Sequence, residues 1–288
     1  MAKKKKIPPQ RGFKGVFHRL SKSPLAMFGL GVVVLFVLIA IFAPYVAPYS
    51  DTQMDLVNRF SGPTAKHWFG TDQFGRDILS RIIYGSRISL MVGVISVGIA
   101  LVVGGLLGAI AGYYGGRIDN LIMRLMDILL AVPSTLLAIA IAASLGPGLF
   151  NLMIAVGISA VPAYARIVRS SVLSIRGQEY VEAARSVGSS DARIILKHII
   201  PNSMAPLIVQ STLGVASAIL HAAGLSFIGL GIQPPTPEWG AMLSGGREYI
   251  RDYSYMTLFP GLIIMITIMS LNFLGDGLRD ALDPKLKR

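Results

Sequence analysis

Apolar residues run along this chain in about six stretches, most of them some twenty residues long, separated by polar or turn-forming segments. The first runs from Leu25 to Ala47, opens on Ser23 and Pro24 as an N-cap and first-turn pair, and closes at Pro44 and Pro48. A second spans Ile88 to about Gly112. The third starts near Asp119 or Asn120, includes Pro133 and ends at the Gly146-Pro147-Gly148 turn. The fourth runs from Asn151 to about Ile167, the fifth from Pro206 to about Gly231, and the sixth from Met256 to about Leu274. A helix of about 20 residues crosses a hydrocarbon core of roughly 30 Å, so the pattern predicts an all-α integral membrane fold with six transmembrane helices. The expected divisions are a basic tail over 1–24, a first helix over 25–48, an outer segment over 49–87, a five-helix domain over 88–275 with a loop near 176–205, and a tail over 276–288.

Inside the second stretch Gly104, Gly108 and Gly112 recur every fourth residue. Positions four apart share a helix face, and a face without side chains lets another backbone come close. The partner is either a helix of this chain or one of a second chain.

Composition agrees with a bilayer as solvent: of 288 residues 53% are hydrophobic and 15% charged, and the mean hydropathy is +0.61. The net charge of +12 sits in short basic blocks beside apolar runs, the pattern of contact with anionic lipid headgroups rather than nucleic acid. With a cytoplasmic N-terminus, roughly 20 of the 27 Lys and Arg residues fall on the cytoplasmic side. They are the block before Ser23, Arg117, Arg124, the stretch Arg166 to Lys197, and Arg279, Lys285, Lys287 and Arg288. Six spans then place both termini in the cytoplasm. The first stretch is too long for a signal-peptide core and no small-residue cleavage pattern closes it, so it reads as a retained span.

Catalytic chemistry finds little to work with. There is no cysteine, no phosphate-binding G-x-x-x-x-G-K-[ST] loop, no H-E-x-x-H and no nucleophile elbow. His18, His67, His198 and His221 are scattered, so no metal or cofactor is expected. His67, Asp72 and Asp77 share the outer segment and read as solvated loop polarity. Acidic residues lie at span ends or in loops, so ion-coupled transport, which needs ionisable groups near the midplane, has only His221 to offer.

The inner loop is too long for a plain connection. Gln178 to Val187 has a helical pattern that closes on Gly188, suited to a left-handed C′ position. Ser190 is placed to cap a second short helix carrying Ile194, Ile195, Ile199 and Ile200, which Pro201 should end. Ala183, Ala184 and Val187 would stand exposed on such an elbow and want cover. That cover is either the membrane surface or a docking protein.

Glu182-Ala183-Ala184, three residues, Gly188 and then Ile200-Pro201 resemble the E-A-A loop of binding-protein-dependent ABC importer permeases. His198 stands where the general pattern has an aliphatic residue, and His198-Ile199-Ile200-Pro201-Asn202 is similar to the peptide-transporter branch. Ser23-Pro24-Leu25-Ala26 resembles the N-terminal region of dipeptide and oligopeptide permease C-type subunits. The run from His67 to Arg81 is similar to their outer-loop signature, and Leu225 to Gly231 with Gln233 to Gly240 to the end of their fifth span and the loop after it.

The resemblance implies a type I (MetI-like) importer permease that is not itself an enzyme. It would act in the bacterial cytoplasmic membrane with a second homologous permease, two ATP-binding subunits and an extracytoplasmic substrate-binding protein. Glu182, Ala183, Ala184, Arg185, Gly188, Ser190 and Pro201 would form the ATPase-coupling loop. His221 and Ser217 on the fifth span are the candidates for the translocation path, without the acidic residue that close relatives often carry near His221. Di- or oligopeptides are the expected cargo; nickel chelate, glutathione, oligosaccharide or antimicrobial peptide, and an autonomous carrier, are the alternatives. Arg247 and Arg251 read as solvated charges or as contacts for the binding protein.

Overall fold

The computed structural model describes residues 13–282, with side chains from residue 15. The basic block Lys3 to Arg11 and the tail residues Lys285, Lys287 and Arg288 lie outside the described residues. The helices in chain order are α1 (Phe13–Leu20), α2 (Pro24–Ile41), α3 (Ala43–Val46), α4 (Ile78–Tyr114), α5 (Gly116–Leu130), α6 (Ser134–Leu145), α7 (Leu149–Ile175), α8 (Glu179–Ser186), α9 (Asp191–Ile194), α10 (Met204–Phe227), α11 (Trp239–Gly246) and α12 (Tyr255–Leu282). Among the described residues the only β pairing is an isolated bridge between Thr71 and Asp77. The end of the bundle carrying segment 47–77 is called outer and the end carrying α8 inner, after the orientation the basic residues predict.

Five helical runs are long and apolar enough to cross a bilayer, or six if the bent pair α5 and α6 counts as one span. The first opens as its cap residues dictate, with Ser23 Oγ accepting from Ala26 N at 3.3 Å and Pro24 in the first turn. It stops at Ile41, and a separate turn, α3, carries Pro44, so the expected end near Ala47 is revised.

The second span begins ten residues before the expected Ile88, because Asp77 caps it by accepting from Ser80 N at 2.7 Å. Its 37 residues make a rod of about 55 Å, so part of the predicted outer segment 49–87 is helix. Correspondingly α7 and α12 run eight residues beyond the expected ends Ile167 and Leu274. Apolarity marks the part of a helix in lipid, whereas hydrogen bonding continues past it.

Pro133 does what a proline without an N–H does to a helix. The expected single third span is two helices, α5 and α6, meeting at 87°.

The core is a close pairing of α4 with α7. A Cβ on Gly104 would lie 2.6 Å from the Val161 carbonyl oxygen, one on Gly108 2.3 Å from that of Ala165, and one on Gly112 2.8 Å from Val172 Cβ. All three glycines therefore face a helix of the same chain. Around this pair α10 and α12 close the bundle, and α2 lies against α12.

Segment 47–77 folds back on the outer ends of α4 and α12. Phe69 stacks on Phe259 at 4.1 Å and Phe60 on Tyr253 at 4.5 Å. Trp239 is buried and donates its indole N–H to the Ile82 carbonyl at 3.1 Å. His67, Asp72 and Asp77, expected to be solvated, are instead buried. His67 Nδ1 lies 2.9 Å from Asp77 Oδ1, and Asp77 Oδ2 accepts from Ser80 Oγ at 2.7 Å. Both carboxylates are engaged inside the lobe, while His67 Nε2 is buried without a partner among the described residues.

Candidate functional site

The elbow of the inner loop is built from local rules and then fastened to the bundle. Glu179 and Glu182 lie in the first turn of α8 and Arg185 in its last, each matched to the helix dipole. Gly188 takes φ +79°. Ser189 N donates to Ala184 O at 3.1 Å and Gly188 N to Arg185 O at 3.0 Å, the paired bonds of a Schellman ending. An L-residue at this φ crowds its Cβ against a carbonyl, which explains the glycine.

Ser190 stands at the cap position of α9, but its hydroxyl makes no cap bond. Pro201 was expected to end the second helix. Instead the chain widens into a π turn over Ile195–Ile199, tightens into a 3₁₀ turn over Pro201–Ser203, and runs on into α10. The wide turn, with Ile200 N donating to Ile195 O at 2.9 Å, accommodates a proline ring that would clash with the carbonyl four residues back in a regular α-helix.

Val181, Ala184, Ile194 and Ile199 are buried in one cluster with Ala109 and Tyr113 of α4, Val168 and Val172 of α7, and Leu207. Ala184 is thus covered by its own chain, against the expectation that it stands exposed with Ala183 and Val187. Ala183 is exposed, Val187 is 81% exposed, and Glu182, Arg185 and Ser186 lie beside them on the same open surface.

Polar contacts lock the base. Tyr113 Oη donates to Asp191 Oδ1 at 2.6 Å, Arg176 Nη1 donates to Gly112 O at 2.9 Å, and the Arg185 guanidinium sits 5.5 Å from the Tyr113 ring centroid. Arg169 pairs with Asp119 in a two-pronged contact that ties α5 to α7, and Arg166 pairs with Asp127 one turn away. The sequence carries no sign that Tyr113 meets Asp191 or that Arg169 meets Asp119. Each pair is separated by 50 residues or more, and no local spacing announces such partners.

The second candidate set is on α10. His221 lines a groove of about 390 Å³ with Thr135, Ala138 and Ile139 of α6 and Leu220 and Gly224 of α10. Ser217, one turn earlier, is exposed and donates to Leu213 O at 3.3 Å without lining that groove. The elbow and the groove are therefore separate places, one at the inner end of α4 and α7, the other on the α6–α10 face. Arg247 and Arg251 are exposed, with Arg247 lying 5.8 Å over the Phe227 ring.

Residues 104–288 match the model of the family described as "Binding-protein-dependent transport system inner membrane component", and residues 13–63 that of the "N-terminal TM domain of oligopeptide transport permease C". The chain is 53% identical over 286 residues to the dipeptide transport system permease protein DppC of Alkalihalophilus pseudofirmus, covering 97% of this chain and 94% of that protein. It is 50% identical to the di/tripeptide transport system permease protein DppC of Pseudomonas aeruginosa, over 91% of this chain and 88% of the other. Identity is 47% to the glutathione transport system permease protein GsiD of Escherichia coli, over 94% and 90%. In fold it resembles a chain of the inward-facing MetNI methionine ABC transporter, with TM-score 0.57 at 18% identity over 72% of this chain and 98% of that one.

Proposed function

This chain belongs to the family of binding-protein-dependent transport system inner membrane components, and on that premise we propose that it forms, with a second homologous permease, the transmembrane pathway for short peptides. As a multi-pass permease subunit of an ABC importer it is a transport component. Cargo reaches it from an extracytoplasmic binding protein, and two separate ATP-binding subunits supply the energy. The three relatives are named for dipeptides, di/tripeptides and glutathione; glutathione is itself a tripeptide, so a short peptide is the cargo class common to all three. Both termini face the cytoplasm in this reading, on the basic-residue count.

The observation that carries it is the elbow's two-sided construction. One side, Val181, Ala184, Ile194 and Ile199, is packed onto α4 and α7. The other, Glu182, Ala183, Arg185 and Val187, is open. An apolar rim held on a rigid base suits docking into a cleft, and a push on it moves α4 and α7 together because their inner ends are joined through Tyr113, Asp191 and Arg176. Gly188 and Ser190 set the bend, and Pro201 sets where it joins α10. The bundle needs two packings that differ by only a few kcal/mol, so that nucleotide and binding protein select between them. Movement at the elbow opens and closes the path past the groove at His221, with Ser217 on the same helix.

The chain has no cysteine, so a single Val187→Cys gives one unambiguous crosslinking site. In the assembled transporter it should crosslink to an ATP-binding subunit, while Arg117→Cys on α5 should not. Crosslinking of Val187→Cys to lipid alone would identify the elbow as an interfacial hairpin and remove the coupling role. Uptake of labelled dipeptide into proteoliposomes checks the cargo, and no competition by other di- and tripeptides would defeat that part.

A further inference from the structure

Behind the outer face, the 72–76 turn, the start of α4 and the segment around α11 enclose a cavity of about 50 Å³. Two guanidinium groups, Arg76 and Arg81, line it, each side chain about one-twentieth exposed, and Asp72 is the carboxylate beside them. Asp72 Oδ2 accepts from Arg76 Nε at 2.6 Å and lies 3.8 Å from Arg81 Nε. Its other oxygen accepts the backbone N–H groups of Phe74 and Arg76 at 2.9 and 3.0 Å. Arg81 Nη1 donates to the carbonyls of Asp51 and Pro235 at 2.9 and 3.3 Å. The Phe74 ring lies 4.6 Å under the Arg76 guanidinium and keeps it turned inward.

A guanidinium carries five N–H donors and no acceptor. Among the described residues, the remaining N–H groups of both arginines meet no protein acceptor. The charge does not balance either. Two buried cations face one buried carboxylate, with the half-buried Asp51 carboxylate attracting Arg81 from further off, and the other nearby acids are committed elsewhere. Asp77 is held by His67 and Ser80, and Glu238 caps α11 through Gly240 N and Ala241 N, both at 2.8 Å. Two like charges close together in low dielectric repel strongly and are stable there only with a counter-charge. Water satisfies donors but leaves the surplus positive charge standing.

We propose that this cavity binds one small monovalent inorganic anion of about chloride size. The volume admits one or two water-sized atoms and excludes a peptide or nucleotide. Half-buried Gln73 and Thr236 and exposed Gly245 and Pro234 form the mouth on the outer face. The anion ties the turn, α4 and the Pro234–Gly246 segment into one block, a role independent of what the pathway carries.

The test uses the full chain purified in nanodiscs, with thermal unfolding followed in chloride, bromide and gluconate at one ionic strength and one cation. Chloride and bromide should raise the midpoint saturably by roughly 2–4 °C over gluconate, which is too large to enter. In Arg76→Gln, where the surplus charge is gone, the halide-dependent rise should vanish. Equal wild-type midpoints in chloride and gluconate would overturn the proposal, as would a halide effect unchanged in Arg76→Gln. Crystals grown in bromide give a reading that does not depend on the variant's folding. An anomalous peak between Arg76 and Arg81 is expected, and its absence refutes the site.

Discussion

At the scale of single residues, two positions carry more than their size suggests. Gly188 has open space around its missing side chain, so a substitution there costs only what its φ of +79° imposes, about 1–2 kcal/mol for a Cβ. Gly188→Ala should therefore leave membrane insertion intact while lowering peptide-stimulated ATP turnover, with Gly188→Asn, which tolerates this region, falling less. Turnover equal to wild type in Gly188→Ala would show that the bend transmits nothing. Glu238 is a buried carboxylate at the N-cap of α11, beside Ser89 of α4, and burial raises its pKa above the ordinary 4.5 despite the N–H groups it accepts from Gly240 and Ala241. A raised folded pKa means that its contribution is fully present below the unfolded value and lost as pH rises through the folded one. The packing of α11 against α4 should become less stable from pH 4.5 upward through that raised value, and Glu238→Gln should flatten this dependence in thermal unfolding followed against pH.

Among whole elements, the pairing of α4 with α7 is decided by absent side chains. Gly108 approaches the Ala165 carbonyl so closely that Gly108→Leu must push the helices apart, at a cost of about 1–3 kcal/mol or more. Gly105, on the same helix with nothing within 4 Å, is the matched control. Gly105→Ala should be neutral or slightly stabilising, and the folded yields of the two variants in detergent check the contrast. The four-residue glycine spacing was readable as a packing face, but which helix meets it was not, since lipid, a sister helix and a second chain all fit the same stripe. Prolines behave likewise. Pro133 and Pro201 both mark breaks, yet one produces a bend of 87° and the other a wide turn that continues, because neighbours decide how the missing N–H is accommodated.

Over the whole molecule, a rigid outer lobe and an inner elbow sit at opposite ends of one long helix, α4. The lobe is held on α12 by the Phe69–Phe259 stack and on the segment just before α12 by the Phe60–Tyr253 stack. Phe259→Ala should loosen it by about 2 kcal/mol, seen as faster limited proteolysis within residues 47–77 at unchanged helix content. An unchanged cleavage rate would mean that the buried Asp72–Arg76 pair and the Asp77 cluster suffice alone. The elbow is held by Tyr113, Asp191 and Arg176, so the end proposed to receive force is fastened to the helix whose other end supports the outer lobe.

Apolar runs, proline and glycine punctuation and the E-A-A pattern determined the membrane class, the approximate spans and the location of the elbow, because these follow from the near neighbours of each residue and from the thickness of a bilayer. Tertiary structure alone decided that Ala184 and the His67, Asp72 and Asp77 side chains are buried, that α4 begins at the Asp77 cap, that the glycine face meets α7, and that Tyr113 reaches Asp191. Those outcomes depend on groups distant along the chain, where burial and pairing are set by packing and leave no periodic trace in the order of residues.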